Sequence, residues 1–451
     1  MLNRKLLLAL LVLVLGALAI VPALAQDTTE VKMWIAFTDY RLDWTREKAA
    51  AFNELFPQYN VVVEGYQNYE ELFAATALAA EQNALPAIVQ YFEVATQNAR
   101  DSGYFKSIAD AIGDRTEING VPVDFDDIIG PTTAYYTLDG EWTSMPWNTS
   151  SAIWFSNMTM LNAAGVDTPP ATWAEVEAVC EKVMAMANAP EYCFTWPNHG
   201  WFFEQWLAQQ NAEYANNGNG RDARATEVAF NSDAGVAILA WLDDMYNKGY
   251  LYYSGAQGGA SWGTVDQSFL GGQTAMAAYS SSDTALFTNT GKENGFEVVA
   301  SFLPYNQETG WTGNLIGGAS LWLADGLPQD VEDGALTWLL WLNNTENAAE
   351  WHQVTGYVAI RNSSVDMLAA EGWFDENPNF RVAADQLAQS TITPATRGAI
   401  MGAFPAIRNV VTAAIDTVLL TDRDPAEVLA EAAARANEIL AEYNLLNAPE
   451  E

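Results

Sequence analysis

The sequence predicts an α/β protein with a mostly parallel sheet and more than one hydrophobic core. Three observations predict it. Strand-like and helix-like segments alternate in the N-terminal part, half of the residues are hydrophobic, and 12% are aromatic. Strands that alternate with helices favour βαβ units, whose strands pair in parallel. A chain of 451 residues is also long enough for two or three lobes, each with its own core.

The first 25 residues have the pattern of a signal peptide. Arg4 and Lys5 precede an apolar run, Leu6–Ile20, and the helix-breaking Pro22 lies just after that run. Residues 23–25, Ala-Leu-Ala, then match the small-x-small sequence that signal peptidase cleaves. A retained membrane anchor is the alternative, because the apolar run is almost long enough to span a bilayer. Pro22 and the cleavage pattern favour export to a periplasm or to the extracellular space.

The N-terminal elements are predicted from the spacing of apolar residues. Strands are predicted at 31–37, 60–63 and 87–92, and helices at 43–56, 69–81 and 96–102. Ligands of parallel sheets bind beyond the carboxyl ends of the strands. Residues 64–69 and Glu93, which come directly after two of these strands, are therefore predicted to border a binding cleft.

The middle and C-terminal parts are predicted to be richer in helices. Further helices are predicted at 168–186, 231–248 and 425–446, and a buried strand at 272–279. Ser280–Asp283 comes after that strand and opens a short helix. Hydroxyl groups and free N–H groups at a helix start can hold an anion or a polyol, although ordinary helix capping is the alternative.

The cysteines and histidines limit the chemistry of the chain. Cys180 and Cys193 are the only cysteines and lie 13 residues apart, so a disulfide is plausible in an oxidising compartment. Two separate buried thiols are the alternative. His199 and His352 are the only histidines, which argues against a His-based zinc site and against a Ser-His-Asp triad. With no phosphate-loop, metal or redox motif in the sequence, no cofactor is expected.

The charge of the chain is strongly acidic. It has 57 acidic and 20 basic residues, a formal net charge of −37, which disfavours nucleic acid as a partner and favours a soluble monomer. An anionic ligand is still allowed, because charges more than roughly 8 Å away are largely screened at physiological salt. Paired acids are also used by glycosidases, but with 57 acids such pairs arise by chance.

The 17 tryptophans are an unusual number. Aromatic faces stack on the C–H faces of sugars and polyols, although packing in the cores accounts for most such residues. The sequence alone therefore supports a carbohydrate-like ligand only weakly.

Several segments in order resemble the extracellular solute-binding proteins of ABC importers. The matching segments are 68–70, 91–94, 315–322, 347–357 and 403–408. The resemblance implies a two-lobed, Venus-flytrap periplasmic-binding-protein fold with crossing hinge strands and discontinuous lobes. Residues 26–138 and 295–345 are expected in the first lobe, and 139–294 and 346–451 in the second. It also implies a protein that binds a small polar solute for the permease subunits of an importer and is not an enzyme.

The resemblance is strongest to members of that family that bind glycerol phosphates, and it implies a set of ligand-binding residues. Glu93 is expected to accept hydrogen bonds from glycerol hydroxyls, and Arg408 to bind the phosphate with its forked guanidinium. The full set implied is Tyr69, Glu93, Ser150, Trp201, Ser280, Gly318, Tyr357 and Arg408.

One position departs from the glycerol-phosphate binders. Asn198 replaces a tryptophan three residues before Trp201. The resulting cleft is expected to be roomier and more polar, which suits a larger head group or a sugar. The expected solute is therefore glycerol 3-phosphate or a glycerophosphodiester, with a neutral sugar or oligosaccharide as the alternative and an exported glycosidase as a remote one.

Overall fold

The structure is a computed structural model that describes residues 28–447, and the predicted signal peptide lies outside that range. Its strands are β1 (Thr29–Ile35), β2 (Tyr59–Gly65), β3 (Ile88–Phe92), β4 (Phe105–Lys106), β5 (Glu117–Ile118), β6 (Val121–Pro122), β7 (Thr137–Leu138), β8 (Glu141–Trp142), β9 (Met145–Ser150), β10 (Ala152–Asn157), β11 (Tyr192–Thr195), β12 (Leu251–Tyr252), β13 (Thr274–Ser280), β14 (Val298–Phe302) and β15 (Gly317–Ala324).

The α-helices are α1 (Tyr40–Leu55), α2 (Tyr69–Glu81), α3 (Thr96–Asp101), α4 (Ile108–Ile112), α5 (Gly130–Tyr136), α6 (Met158–Ala163), α7 (Trp173–Met184), α8 (Gly200–Gln209), α9 (Asn216–Gly220), α10 (Asp233–Asn247), α11 (Trp262–Leu270), α12 (Thr284–Glu293), α13 (Gln329–Leu342), α14 (Thr345–Thr355), α15 (Asn362–Ala370), α16 (Trp373–Glu376), α17 (Val382–Gln389), α18 (Phe404–Leu420) and α19 (Pro425–Asn447). Short 3₁₀ turns occupy Glu93–Ala95, Gly258–Ser261, Ser281–Asp283 and Pro378–Arg381.

The first lobe is built on a six-stranded sheet in the order β2-β1-β3-β15-β4, with β9 paired to β15. β1 pairs in parallel with β2 and β3, as the alternation of strands and helices predicts. β15 arrives from far along the chain and pairs antiparallel with β3, β4 and β9. All five residues of β3 are buried, because helices and the second lobe cover the sheet around it.

The second lobe is built on a five-stranded sheet in the order β12-β11-β13-β10-β14. β11 pairs in parallel with β12 and β13, whereas β10 pairs antiparallel with β13 and β14. Helices α7, α11, α12 and α17 pack on this sheet, and α8, α10, α18 and α19 pack on one another in the same lobe. The strands β10 and β13 at its centre are fully buried.

The chain crosses between the lobes more than once, which confirms the predicted two-lobed fold with crossing strands. β9 belongs to the first sheet and continues through Ser151 into β10 of the second sheet. β14 belongs to the second sheet, and the chain then returns to the first sheet as β15. At these two strands the pairing differs from the predicted division, which assigned 145–150 to the second lobe and 298–302 to the first. β9 runs directly into β10 through Ser151, whereas residues 303–316 connect β14 to β15.

Most predicted elements are confirmed within a few residues. The helix predicted at 69–81 has those bounds as α2, and the one predicted at 425–446 is α19. The helix predicted at 168–186 begins later, at Trp173, because the Thr172 side chain accepts a hydrogen bond from the Glu175 N–H and caps the helix there.

The predicted disulfide is confirmed. It joins Cys180 of α7 to Cys193 of β11, with Cα atoms 5.4 Å apart, inside the core of the second lobe. Within residues 28–447, no helix has the length and apolar character needed to cross a membrane.

Candidate functional site

A cavity of about 370 Å³ lies between the two lobes. Its wall contains every residue that the sequence predicted for ligand binding, although they are spread over more than 300 residues of chain. They are Tyr69, Glu93, Ser150, Trp201, Ser280, Gly318, Tyr357 and Arg408. The fold thus brings the whole predicted set together.

Four helices begin at the cavity wall, since their N-cap residues line it. These residues are Asp39 before α1, Asn68 before α2, His199 before α8 and Asp283 before α12. Helices that come after strands in α/β sheets begin at the strands' carboxyl ends, which is where ligands of such sheets bind. The N-terminal ends of the helices carry partial positive charge and favour a negatively charged group nearby.

Three charged side chains, Glu93, Glu204 and Arg408, form an ion-paired cluster that we call the buried triad. Glu93 and Arg408 line the cavity, and Glu204 contacts Arg408 from outside its wall. The Arg408 Nη2 lies 2.6 Å from the Glu93 Oε1 and 2.8 Å from the Glu204 Oε2, and its Nε lies 2.6 Å from the Glu204 Oε1. All three side chains are at most 6% exposed. Glu93 belongs to the first lobe and the other two to the second, so the triad joins the lobes.

The triad places two carboxyl groups against one guanidinium. Burial raises the pKa of Glu204, although the neighbouring guanidinium opposes that shift. Burial lowers the pKa of Arg408, but Glu204 and Glu93 outweigh it and hold that pKa above its usual value. Arg408 is therefore permanently charged, with two of its three nitrogens already bound to carboxylates. Its Nη1 has no acceptor among residues 28–447 and is the nitrogen that faces no protein partner.

Arg41 is a second cation in the wall, and the sequence did not single it out. Its Nη2 lies 2.6 Å from the Asp39 Oδ2, and its guanidinium lies 4.4 Å from the centre of the Phe37 ring. The side chain is 19% exposed. Its position in the first turn after β1 was the available signal, because that turn comes after the carboxyl end of a parallel strand.

The second lobe contributes two carboxylates, Asp266 and Asp283, which we call the acidic wall. Neither has a basic partner within 4 Å among the described residues. Asp283 accepts a hydrogen bond of 2.7 Å from the Ser282 hydroxyl, whereas the Asp266 Oδ1 is buried without any hydrogen-bond partner in residues 28–447. Burial, and then the charge of Asp283, raise the pKa of Asp266 to about 7. The sequence predicted the segment Ser280–Asp283 as a place for an anion or a polyol through its hydroxyl and N–H groups, but not through the Asp283 carboxylate, and it did not single out Asp266.

Aromatic rings form the apolar part of the wall. The Trp201 indole N–H donates to the Ile316 carbonyl at 3.3 Å, and its ring packs directly against Gly317. The Trp262 ring lies 6.4 Å from Trp201 and 5.0 Å from Tyr279, edge to face with the latter. These rings offer flat apolar surface beside the charged groups.

Asn198 does not border the cavity, although the sequence predicted that it would widen the cleft. It is buried and lies outside the cavity wall, where its side-chain N–H groups donate to the Tyr253 hydroxyl at 3.2 Å and the Thr412 carbonyl at 3.1 Å. Asn198 therefore does not widen the cleft directly, and the second tryptophan of the wall is Trp262.

His199 is a neutral hydrogen-bond donor in the wall. Its Nδ1 accepts from the Trp201 backbone N–H at 3.3 Å, which places the ring proton on Nε2. Burial, aided by the positive charge of Arg408, lowers the pKa of His199 to about 3. The ring therefore stays uncharged at physiological pH. Sequence reasoning used this residue only as evidence against catalysis.

Two of the predicted residues lie on the crossing strands, Ser150 at the end of β9 and Gly318 in β15. Gly318 has a φ of +100°, and a Cβ there would lie 1.8 Å from the Asn148 carbonyl oxygen, so only glycine fits. The Tyr69 hydroxyl accepts from the Asn148 side chain at 2.8 Å, which leaves its own proton for another acceptor. Hydroxyl, guanidinium and carboxylate groups from both lobes thus face one small space, which suits a polar solute.

Comparison with known proteins gives consistent similarities. A family described as bacterial extracellular solute-binding protein matches residues 47–382. The sn-glycerol-3-phosphate-binding periplasmic protein UgpB of Salmonella typhimurium is 30% identical over 402 residues, covering 88% of this chain and 89% of that protein. UgpB of Yersinia pestis is 29% identical over 94% of this chain and 95% of that protein.

Two solved structures share the fold. UgpB from Mycobacterium tuberculosis in complex with glycerophosphocholine superposes with a TM-score of 0.77 at 20% identity, covering 92% of this chain and 99% of that one. The sugar-binding protein MalE from Xanthomonas citri has a TM-score of 0.74 at 18% identity, covering 94% of this chain and all of that one.

Proposed function

This chain belongs to the family of bacterial extracellular solute-binding proteins, and from that premise we propose that it captures glycerol 3-phosphate or a glycerophosphodiester for an ABC importer. Proteins of this family bind a substrate for a transporter and are not enzymes. The curated relatives are named for binding sn-glycerol 3-phosphate, and the mycobacterial neighbour holds glycerophosphocholine.

The observation that carries the proposal is the meeting of anion-binding and polyol-binding groups in one cavity. Arg41, the free Nη1 of Arg408 and four helix N-termini favour a phosphate group. Glu93, Ser150 and Tyr69 supply acceptors and donors for glycerol hydroxyls. A glycerol phosphate needs both kinds of group within a few ångströms of each other.

The solute is proposed to act by holding the lobes together. Ligand groups that contact Tyr69 and Glu93 on one lobe and Ser280 and Arg408 on the other favour the arrangement in which both lobes meet. The permease subunits would then recognise the joined lobes. We propose that the protein works as a monomer in this role, which its net charge of −37 favours.

A neutral sugar or oligosaccharide is the second candidate. The rings of Trp201, Trp262 and Tyr40 line the cavity and suit the apolar faces of sugars. The neighbour MalE is a sugar-binding protein. The carboxylates of the wall also accept hydrogen bonds from sugar hydroxyls.

Calorimetric titration of the purified protein with glycerol 3-phosphate, glycerophosphocholine, maltose and trehalose tests the proposal. At least one glycerol phosphate should bind about 100-fold more tightly than either sugar. Arg41→Gln should weaken that binding, whereas Arg381→Gln, whose side chain is exposed on a surface turn, should not. Tight binding of the sugars alone would replace the first candidate with the second.

A further inference from the structure

One side of the cavity wall is formed by a loop of the second lobe that is rich in glycine. Residues 253–261, which we call the glycine loop, connect β12 to α11 and contain three glycines. Gly255 has a φ of +79° and Gly258 one of +56°, a backbone conformation that other residues rarely adopt. Gly259 lines the cavity, and a Cβ built there would lie 3.5 Å from a carboxylate oxygen of Glu70 in the first lobe. The glycine loop therefore reaches the other lobe at the cavity.

Such a loop needs contacts from outside to hold it in one conformation. Glycines lose more backbone freedom on ordering than other residues do, and that cost has to be offset by neighbouring groups. Within the glycine loop and the helix that follows it, the Ser254 hydroxyl donates to the Thr264 hydroxyl at 3.0 Å. The contacts that join the loop to the rest of the lobe come from a buried residue of another segment, Asn198.

Asn198 contacts the glycine loop at two places. Its carbonyl accepts from the Gly258 N–H at 2.9 Å, and its side chain donates to the Tyr253 hydroxyl at 3.2 Å. The same side chain donates to the Thr412 carbonyl of α18 at 3.1 Å, and the Tyr253 hydroxyl donates to the Asp416 carboxylate of α18 at 2.6 Å. Asn198 thereby joins the glycine loop to helix α18.

These partners fix which way the Asn198 amide faces. The Thr412 carbonyl can only accept, and Tyr253 already gives its proton to Asp416, so both face the amide N–H groups. Burial, together with the hydrogen bond to Asp416, raises the pKa of Tyr253 and keeps that proton in place. The Asn198 Oδ1 is left buried without a hydrogen-bond partner in residues 28–447. The side chain therefore acts through its two donors.

The glycine loop leads directly into Trp262, the first residue of α11. The Trp262 ring lies 5.4 Å from the His199 ring and 5.7 Å from the Phe202 ring, and it forms part of the cavity wall. Because the loop ends one residue before Trp262, the path of the loop decides whether this ring lies in the wall.

We propose that Asn198 is a positioning residue, which holds the glycine loop against α18 and so keeps the Trp262 ring in the cavity wall. Asn198 itself does not contact the solute, since it lies outside the wall. This inference rests on the part of the proposed function that places a solute in this cavity, and not on which solute that is.

A double-mutant cycle measured by calorimetry with glycerophosphocholine tests the inference. Asn198→Leu keeps a side chain of similar size without its donors, and Trp262→Ala removes the ring. Each single variant should weaken binding by about tenfold. The double variant should bind less than about twofold more weakly than Trp262→Ala alone, because the loop then has no ring to position. Losses that multiply to about 100-fold would overturn the inference.

Asn379→Leu is the matched control. Asn379 is a buried amide of the same lobe that lies outside the cavity wall. Its Nδ2 donates to the Val298 carbonyl at 2.8 Å, and its Oδ1 accepts from the Ala300 N–H at 2.9 Å. This variant should lose stability as Asn198→Leu does, yet keep its affinity within about twofold of the unmodified protein. An equal loss of affinity in both variants would show a general effect of stability and would contradict a positioning role.

Hydrogen exchange of the unliganded protein gives a readout that needs no solute. In Asn198→Leu and in Tyr253→Phe, the amides of residues 253–261 should exchange at least about tenfold faster, whereas those of β13 should keep their rates. Tyr253→Phe removes only the hydroxyl that Asn198 contacts, so it carries the test should Asn198→Leu not fold. Unchanged exchange in the glycine loop of both variants would also overturn the inference.

Failure of this inference can be distinguished from failure of the proposed function. If the unmodified protein binds maltose and not glycerophosphocholine, the proposed solute is wrong, and the same cycle measured with maltose decides the role of Asn198. If Asn198→Leu binds glycerophosphocholine as tightly as the unmodified protein does, the inference is wrong and the proposed function stands.

Discussion

The buried triad and the acidic wall lie in the same cavity, yet they place carboxylates in opposite environments. In the triad, Glu93 and Glu204 share a guanidinium at 2.6–2.8 Å and are almost fully buried. In the acidic wall, Asp266 and Asp283 have only hydroxyl or no protein partners among the described residues. The fold thus pairs the carboxylates of one set with a guanidinium and leaves those of the other set without an ion pair within 4 Å among residues 28–447.

The difference indicates which charged groups stabilise the fold and which are available to bind a solute. A buried ion pair that loses one member costs several kcal/mol, so the triad stabilises the arrangement of the lobes that the structure shows. A carboxylate whose pKa is raised to about 7 is instead held in an unfavourable site, and a positively charged ligand group relieves that cost. The two regions therefore respond differently to substitution.

Arg408→Met should have the largest effect on stability. It leaves Glu93 and Glu204 buried at the same place without a counter-charge, which lowers the free energy of unfolding by about 3–5 kcal/mol. Denaturant unfolding followed by fluorescence measures the change. Arg435→Met breaks only the exposed pair with Glu438 and should leave the midpoint where it is. Equal midpoints for both variants would show that the triad does not stabilise the fold.

Removing the disulfide should lower stability without affecting either region. Cys180 and Cys193 lie in the core of the second lobe and outside the cavity wall. Closing a loop of this length contributes about 3 kcal/mol, so the free energy of unfolding of the Cys180→Ala/Cys193→Ala variant should be lower by about that amount, and its denaturation midpoint should fall accordingly.

Ligand affinity of the same variant, measured under conditions where it is folded, should be unchanged. A loss of affinity would show that binding depends on overall stability, and the effects of substitutions at the triad would then say nothing specific about the solute.

Asp266→Asn should raise stability, in contrast to Arg408→Met. The groups facing Asp266 are Asp283, Tyr279 and Arg41, and burial together with the charge of Asp283 raises its pKa from 3.8 to about 7. The folded state therefore holds this proton more tightly than the unfolded state, so wild-type stability falls as pH rises from about 4 to about 7. At pH 8 the Asn variant should be more stable by roughly 1–3 kcal/mol, with little difference at pH 4.

Thermal unfolding of both proteins across pH 4–8 measures this difference. A ligand with a cationic head group gives a second test. Such a ligand binds the ionised Asp266 carboxylate, so its affinity for the wild type should rise towards pH 8, and its affinity for the Asn variant should not. A constant stability difference across the range would contradict the raised pKa.

Much of the fold could be predicted from the sequence, because its signals are local. The spacing of apolar residues predicts helix α2 with its observed bounds. Tyr69 and Glu93 each come after a strand, which predicts that both side chains border the same cleft. The full set of eight site residues depends on resemblance to a family, since nothing in their spacing links Glu93 to Arg408, 315 residues later.

The residues that the sequence missed depend on contacts between distant segments. Glu204 was detectable in principle, because it is the one charged residue in the otherwise uncharged helix α8, and a buried carboxylate needs a cation. Asp266 is likewise the one charged residue of α11, but polar residues lie on both sides of it, so the sequence does not indicate that its side chain is buried. The resemblance implied a division that placed β9 in the second lobe and β14 in the first, whereas β9 pairs with β15 and β14 with β10.

His199→Ala and His199→Asn should have the smallest effects on stability. Together they distinguish the role of His199 in capping α8 from a role in binding the solute. His199 caps α8 through its Nδ1, so loss of that acceptor in the Ala variant should cost about 1 kcal/mol, whereas asparagine keeps a side-chain acceptor for the helix. Both variants lose the Nε2–H donor and should weaken glycerophosphocholine to a similar extent. Because the pKa of His199 is lowered to about 3, that weakening should be the same at pH 6 and pH 8, unlike the effect of Asp266→Asn. If affinity falls only in the less stable Ala variant, His199 caps the helix and does not bind the solute.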